Sequence, residues 1–237
     1  MKAINSQIEA YLNAPEKLKY NIIELIDIIS SEFESDKIGE ALDIGCAAGA
    51  LVRNLSKKLN NFNFTGFDIS DDLIGFANKY KENDKSNFLV GDFNSIEFDK
   101  KFDLITASGV LSIFQDLSPL EKWLSWLADD GLLFIFGRFN SRDIDTQILF
   151  RNNKVEPSIW EGGLTSFSVQ TVSKHLKKLG YESKFQKFNL PIELDEDLSN
   201  PIRTFTKKTE NGEKIVMDGA NIIAEHFFVT VRRSLEN

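Results

Sequence analysis

The residues best arranged to do chemistry begin at Asp43. The stretch Ala41-Leu42-Asp43-Ile44-Gly45-Cys46-Ala47-Ala48-Gly49-Ala50 is an apolar strand running into a turn of small residues that opens a helix. Small side chains let a ligand approach the backbone closely, and a helix N-terminus offers N–H groups to a carboxylate or phosphate. Plain tight packing is the competing reading of such a turn. Asp68 ends the next apolar run, 25 positions after Asp43, where an acid can bond both hydroxyls of a ribose. Gly91-Asp92-Phe93 follows the third run. It sets a carboxylate and a ring at the same carboxyl edge, suited to the amino group and face of an adenine, although Asp92 reads equally well as a turn cap. The three features together imply an adenosine-type ligand.

The elements that must position these residues alternate between short apolar runs and segments of helical period, the pattern of βαβ units and a mostly parallel sheet. Ile22, Ile23, Leu25, Ile26 and Ile29 predict an amphipathic helix over residues 16 to 34. Strands are expected at 41 to 44, 62 to 67, 88 to 90, 102 to 107 and 132 to 136. Helices are expected from 49 to 59, after Ser70, and from Ser118-Pro119. Residues 138 to 166 read as a long irregular connection, a class of segment that is often functional. A helix closed by Gly180, a strand from 181 to 188 and a last strand from 222 to 231 complete the pattern. Between those strands, residues 190 to 221 form an insertion with a hairpin from Arg203 to Met217 centred on Asn211-Gly212.

In this order the pieces resemble class I S-adenosylmethionine-dependent methyltransferases. The family's glycine-rich motif, acidic-x-Gly-x-Gly-x-Gly, is met by Asp43, Gly45 and Gly49, with Ala47 in place of the middle glycine. The resemblance implies an α/β fold: a single three-layer Rossmann-like domain over 1–237, with a mostly parallel seven-stranded sheet and an antiparallel last strand. N-terminal helices would occupy 1–36, the cofactor-binding core 38–137, and the acceptor side 138–237. It also implies S-adenosyl-L-methionine as cofactor. Asp43, Gly45, Cys46, Ala47 and Gly49 would line its turn, Asp68 and Ile69 would hold the ribose side, and Asp92 and Phe93 would meet the adenine. Ser108, Gly109 and Val110 would border the methionine part. An NAD-binding domain also pairs a glycine turn with a later acid. Here, however, the spacing is Gly-x-x-x-Gly rather than Gly-x-Gly-x-x-Gly.

Methyl transfer is an in-line displacement that depends chiefly on holding the acceptor close and aligned. A hydroxyl acceptor still benefits from a base, because a neutral alcohol is a weak nucleophile. The polar residues expected near the acceptor are Ser112, Gln115, Asp116, Arg138 and Asn140, with Arg203, Asn221 and His226 across the insertion. His226, Asp116 and Arg138 are the catalytic candidates. His226 is the most suitable base near neutral pH, and its competing reading is a histidine hydrogen-bonded within the sheet. Arg138, Arg142 and Arg203 suit a phosphate or carboxylate, or else simple solvation. His175 sits among lysines and is given no role.

Bulk properties limit the alternatives. Basic residues number 28 and acidic residues 36, a net charge of −8, which disfavours nucleic acid as a partner. The lone Cys46 rules out an internal disulfide and suits a reducing, cytoplasmic compartment. Two scattered histidines suggest no metal site. No apolar run approaches membrane-spanning length. The expected activity is O-methylation of a small soluble acceptor: a sugar, nucleotide-linked or phosphorylated metabolite. The alternatives are a catalytically inactive cofactor-binding regulator, or an N-methyltransferase of a small molecule or protein. Oligomeric state stays open, with the N-terminal helices and the hairpin offering a homodimer surface.

Overall fold

Strands covered by helices on both faces need buried side chains in both directions, which is why residues 41–44, 104–107 and 133–137 are buried in succession. The computed structural model describes residues 18–34, 36–149, 151, 153, 156–160, 162, 165–189, 205–208, 214–217 and 225–234. Helix α1 spans Tyr20–Ser31, strand β1 Gly39–Ile44, α2 Ala50–Lys58, β2 Phe62–Asp68, α3 Asp71–Lys79, β3 Ser86–Val90 and β4 Phe102–Ser108. After a 3-10 turn at Leu111–Ile113 come α4, Ser118–Ser125, and β5, Leu127–Asn140. Then follow β6 (Phe167–Ser168), α5 (Val169–Lys178), β7 (Tyr181–Lys187), β8 (Phe205–Lys208), β9 (Lys214–Met217) and β10 (His226–Arg233).

The main sheet has the order β3-β2-β1-β4-β5-β10-β7, and the two-residue β6 pairs with the end of β5. Neighbours from β3 to β5 pair in parallel, whereas β10 is antiparallel to both β5 and β7. This is the expected seven-stranded path with its antiparallel last strand, extended by β6. One face buries Leu25, Ile29, Leu51 and Leu55 of α1 and α2 with Ile74 of α3. The other buries Leu120 and Trp123 of α4 with Val172 and Leu176 of α5. The result is helices, sheet, helices, with one core on each side of the sheet.

β5 is much longer than the expected 132 to 136. Its first residues pair with β4 only at Phe102↔Leu127, and the register shifts before Leu104↔Leu132. The exposed Asp129 and Asp130 occupy that irregularity, so the strand starts in a charged stretch that reads as a loop. The last strand is described from His226. Its expected start at 222, the helix before residue 18, Arg203, Asn221 and the Asn211-Gly212 turn lie outside the described residues. The hairpin itself is present, with Phe205↔Met217 and Lys208↔Lys214 paired antiparallel.

Candidate functional site

β1, β2 and β4 end side by side, with Asp43↔Gly66 and Asp43↔Thr106 in register, so the glycine turn leaves the sheet at its carboxyl edge. The turn is wound by left-handed backbone at Gly45 (φ 65°), Ala47 (φ 47°) and Gly49 (φ 74°). A Cβ on Gly45 would lie 2.7 Å from Cγ2 of Val110. The turn therefore rests directly against the loop that follows β4. Ala47 takes the left-handed conformation although it is not glycine, at a cost of roughly 1–2 kcal/mol. Its N–H donates to Oδ2 of Asp68 at 3.0 Å, which holds the turn in place.

Asp68 therefore joins two parts of the site. Its Oδ1 accepts the Ser70 N–H at 3.0 Å, and the Ser70 hydroxyl in turn caps α3 by accepting from the Leu73 N–H. Each carboxylate oxygen has more than one acceptor direction, so these bonds orient Asp68 and leave it able to accept ribose hydroxyls. Beside it Ile69 is exposed, as is Val90 at the end of β3. These two apolar side chains at a polar edge suit the face of a base.

Asp43 is buried and accepts from the Thr106 hydroxyl at 2.7 Å. Burial pushes its carboxyl up to about 7; the neighbouring charge of Asp68 adds to this, and the Thr106 bond opposes it. Burial also raises the thiol of Cys46, so this lone cysteine is an inert packing group rather than a nucleophile. Asp92 forms a turn: its Oδ1 accepts the N–H of Asn94 at 2.8 Å and the Asn94 side-chain amide at 2.9 Å. Phe93 is partly buried and edge-on to Phe114 at 5.1 Å, with Trp123 and Trp126 beyond. Ser108 ends β4, and Gly109 (φ 76°) donates its N–H to the Phe136 carbonyl at 2.7 Å. The twelve residues expected to meet the cofactor thus lie at the ends of β1, β2 and β4 and in the turns that follow β1 to β4.

Sequence reasoning missed Arg53. Side chains on a helix lean toward its N-terminus, and Arg53, one turn into α2, turns back to donate its guanidinium to the Ala48 carbonyl. It is buried, and burial lowers its pKa. The only available signal was its position four residues after Gly49 on an otherwise amphipathic helix.

The structure brings together two of the three catalytic candidates. His226 and Arg138 are directly opposed in the β10–β5 register, and the imidazole stacks on Phe136 at 5.6 Å and 23°. They stand on the α1 side of the sheet. Asp116 lies in the loop before α4, where its Oδ1 accepts the Ser118 N–H at 2.9 Å and the Ser118 hydroxyl at 2.5 Å. Those bonds hold its carboxyl below the usual range. Among the described residues, no group of three or more His, Cys, Asp or Glu is arranged to hold a metal, and no helix is long and apolar enough to cross a membrane.

Residues 41–131 match the family described as "Methyltransferase domain", a span that holds the glycine turn, Asp68, Asp92 and the loop after β4. Over 141 residues the chain is 27% identical to a malonyl-[acyl-carrier protein] O-methyltransferase of Priestia megaterium, covering 59% of this chain and 51% of that one. Over 98 residues it is 33% identical to a probable (S)-tetrahydroprotoberberine N-methyltransferase of Papaver bracteatum, covering 40% and 27%. The match thus spans about half the length of the first of these relatives and about a quarter of the second. The plantazolicin methyltransferase BpumL, solved in complex with SAH, shares the fold. Its TM-score is 0.59 at 18% identity, over 97% of this chain and 89% of that one. Residues 41–131, with the glycine turn, Asp68, Asp92 and the loop after β4, thus match a methyltransferase domain, and the chain shares the Rossmann-like fold of a solved methyltransferase along nearly its full length.

Proposed function

We propose that the protein transfers a methyl group from S-adenosylmethionine to an oxygen of a small soluble acceptor. The observation that carries this reading is the Asp43–Ala47–Asp68 arrangement, a buried acid, a left-handed turn and an anchored carboxylate, within the matched domain. Asp68 accepts from the ribose, Ile69 and Val90 border the base, and the glycine turn with Ser108 to Val110 receives the methionine part. When bound, the cofactor supplies a methyl group on a sulfonium, which is a good leaving group.

The chain's own task is alignment and proton removal. His226 takes the proton of the acceptor hydroxyl as the oxygen gains the methyl, and Arg138, opposite it in register, adds positive charge beside the base. Asp116 is a weak base, since its bonds to Ser118 favour the carboxylate and lower its proton affinity. The arginines motivate the acceptor class, a sugar, nucleotide-linked or phosphorylated metabolite. Oxygen transfer also accords with the relative from Priestia megaterium, whose name gives O-methylation.

Calorimetric titration with S-adenosylmethionine and, separately, NAD tests the cofactor. Saturable binding of the former alone is expected, with affinity falling at least about tenfold in Asp68→Ala, the cost of losing a charged hydrogen-bond acceptor. Unchanged affinity in a variant carrying alanine at both Asp68 and Asp92 sinks the proposed site. Release of S-adenosylhomocysteine with a small-metabolite pool then separates the enzyme from a cofactor-binding regulator.

A further inference from the structure

Of the twelve large apolar side chains exposed among the described residues, four belong to the connection between β5 and β6: Ile144, Leu149, Ile159 and Trp160. Soluble surfaces scatter such residues, whereas a cluster marks a place where something binds. The connection is seated on the loop after β4, because the Thr165 N–H donates to the Ser112 carbonyl at 2.9 Å and the Gln147 amide to the Gln115 carbonyl at 2.5 Å. A Cβ on Gly162 would lie 3.5 Å from Leu149 and 3.6 Å from the Gln115 amide, so these two strips of chain touch. The loop contributes a further exposed apolar residue, Ile113. Beside the loop after β4 the connection thus exposes an apolar strip, a wall in which Leu149 is 60%, Ile159 59% and Trp160 64% exposed.

One charge is built into that wall. The Arg151 guanidinium lies over the Trp160 ring, 5.1 Å from its centroid. Stacking fixes the plane of a guanidinium while its edge keeps N–H donors for a carboxylate or phosphate. Among the described residues no carboxylate pairs with Arg151. A sugar offers this wall only its C–H face and finds few polar partners for its hydroxyls. A flat apolar ring gains dispersion and hydrophobic contact there. On the reading that the protein is a methyltransferase, we propose that its acceptor joins a planar apolar ring system to an anionic group, the ring against Trp160 and Leu149 and the anion against Arg151. This narrows the acceptor range to ring-bearing acids or phosphates and sets aside free sugars and sugar phosphates.

The test titrates protein saturated with S-adenosylhomocysteine with three probes: 2-naphthoate, 2-naphthol and glucose 6-phosphate. Naphthoate is expected to bind saturably below about 1 mM, naphthol more weakly, and the sugar phosphate not measurably. Trp160→Ala should weaken naphthoate about tenfold, and Arg151→Gln should bring it to the level of naphthol, with thermal midpoints unchanged because both side chains are surface groups. Glucose 6-phosphate binding as tightly as naphthoate overturns the inference. So does naphthoate that ignores Trp160→Ala, that stays preferred over naphthol in Arg151→Gln, or that does not bind at all. Failure to saturate with S-adenosylhomocysteine speaks instead against the methyltransferase reading, so the two failures are distinguishable.

Discussion

The two halves of the carboxyl edge are built in opposite ways. Around the glycine turn nearly every polar group is held by another: Ala47 by Asp68, Asp68 also by Ser70, Asp43 by Thr106, Ala48 by Arg53. Apolar groups there are packed to contact, as Gly45 is against Val110. Along the β5–β6 connection Ile144, Leu149, Ile159 and Trp160 instead face solvent, and hydrogen bonds such as Thr165 to Ser112 and Gln147 to Gln115 seat the chain on the loop after β4. The first half is tied together by its own polar groups, and the second is a surface whose side chains can change without disturbing the fold. This is the division expected when one cofactor must serve many acceptors.

The sharpest way to break the preformed half is Gly45→Ala. The new Cβ meets Val110 at 2.7 Å, and the left-handed backbone is strained for alanine. S-adenosylmethionine affinity should fall at least about a hundredfold by calorimetry, with the melting point lowered by a few degrees. A protein that binds the donor normally after this change would show the turn to be mere packing.

Arg53→Met should act next, with a smaller effect. It leaves the Ala48 carbonyl without its guanidinium donor, worth about 1–3 kcal/mol. Donor affinity is expected to drop about tenfold, while any acceptor binding to the S-adenosylhomocysteine complex stays as it was. Lysine at 53 should recover part of the loss. If methionine lowers stability alone and leaves donor affinity intact, Arg53 is a core residue without influence on the turn.

The smallest effect is a slope with pH. The carboxyl of Asp43 is near 4 when unfolded and about 7 when folded, so between those values the folded protein keeps a proton that the unfolded chain has lost. Its contribution to stability is fully present below pH 4 and declines as pH rises toward 7. Thermal melts at pH 5, 6, 7 and 8 should therefore fall more steeply in the parent than in Asp43→Asn. Parallel curves would mean that the buried acid is already ionised.

The contrast between the halves also explains what could be read from the sequence. The glycine turn, Asp68 and the strand order were legible because they follow from local rules: small residues where backbone bends, apolar runs where two faces are covered. Asp92 was ambiguous, and its Oδ1 caps a turn by accepting from Asn94 at the same edge as Asp68. Arg53 was invisible because a charged residue on a helix reads as solvated, and only the direction of its side chain, back toward Ala48, buries it. The start of β5 was lost for the opposite reason, since Asp129 and Asp130 sit within a strand that pairs only at its irregular edge. Nothing local to Trp160 marks it as a wall either, because that role depends on where Ser112 and Gln115 hold the connection.

The placement of the three tryptophans has a practical consequence. Trp123 and Trp126 are buried against Phe93, while Trp160 stands in solvent on the β5–β6 connection. On the proposed assignment of donor and acceptor, the buried and exposed indoles form a two-channel optical gauge, with blue-edge emission expected to report on the first ligand and red-edge emission on the second. Replacing Trp160 with phenylalanine silences the second channel and leaves the first to report donor binding alone.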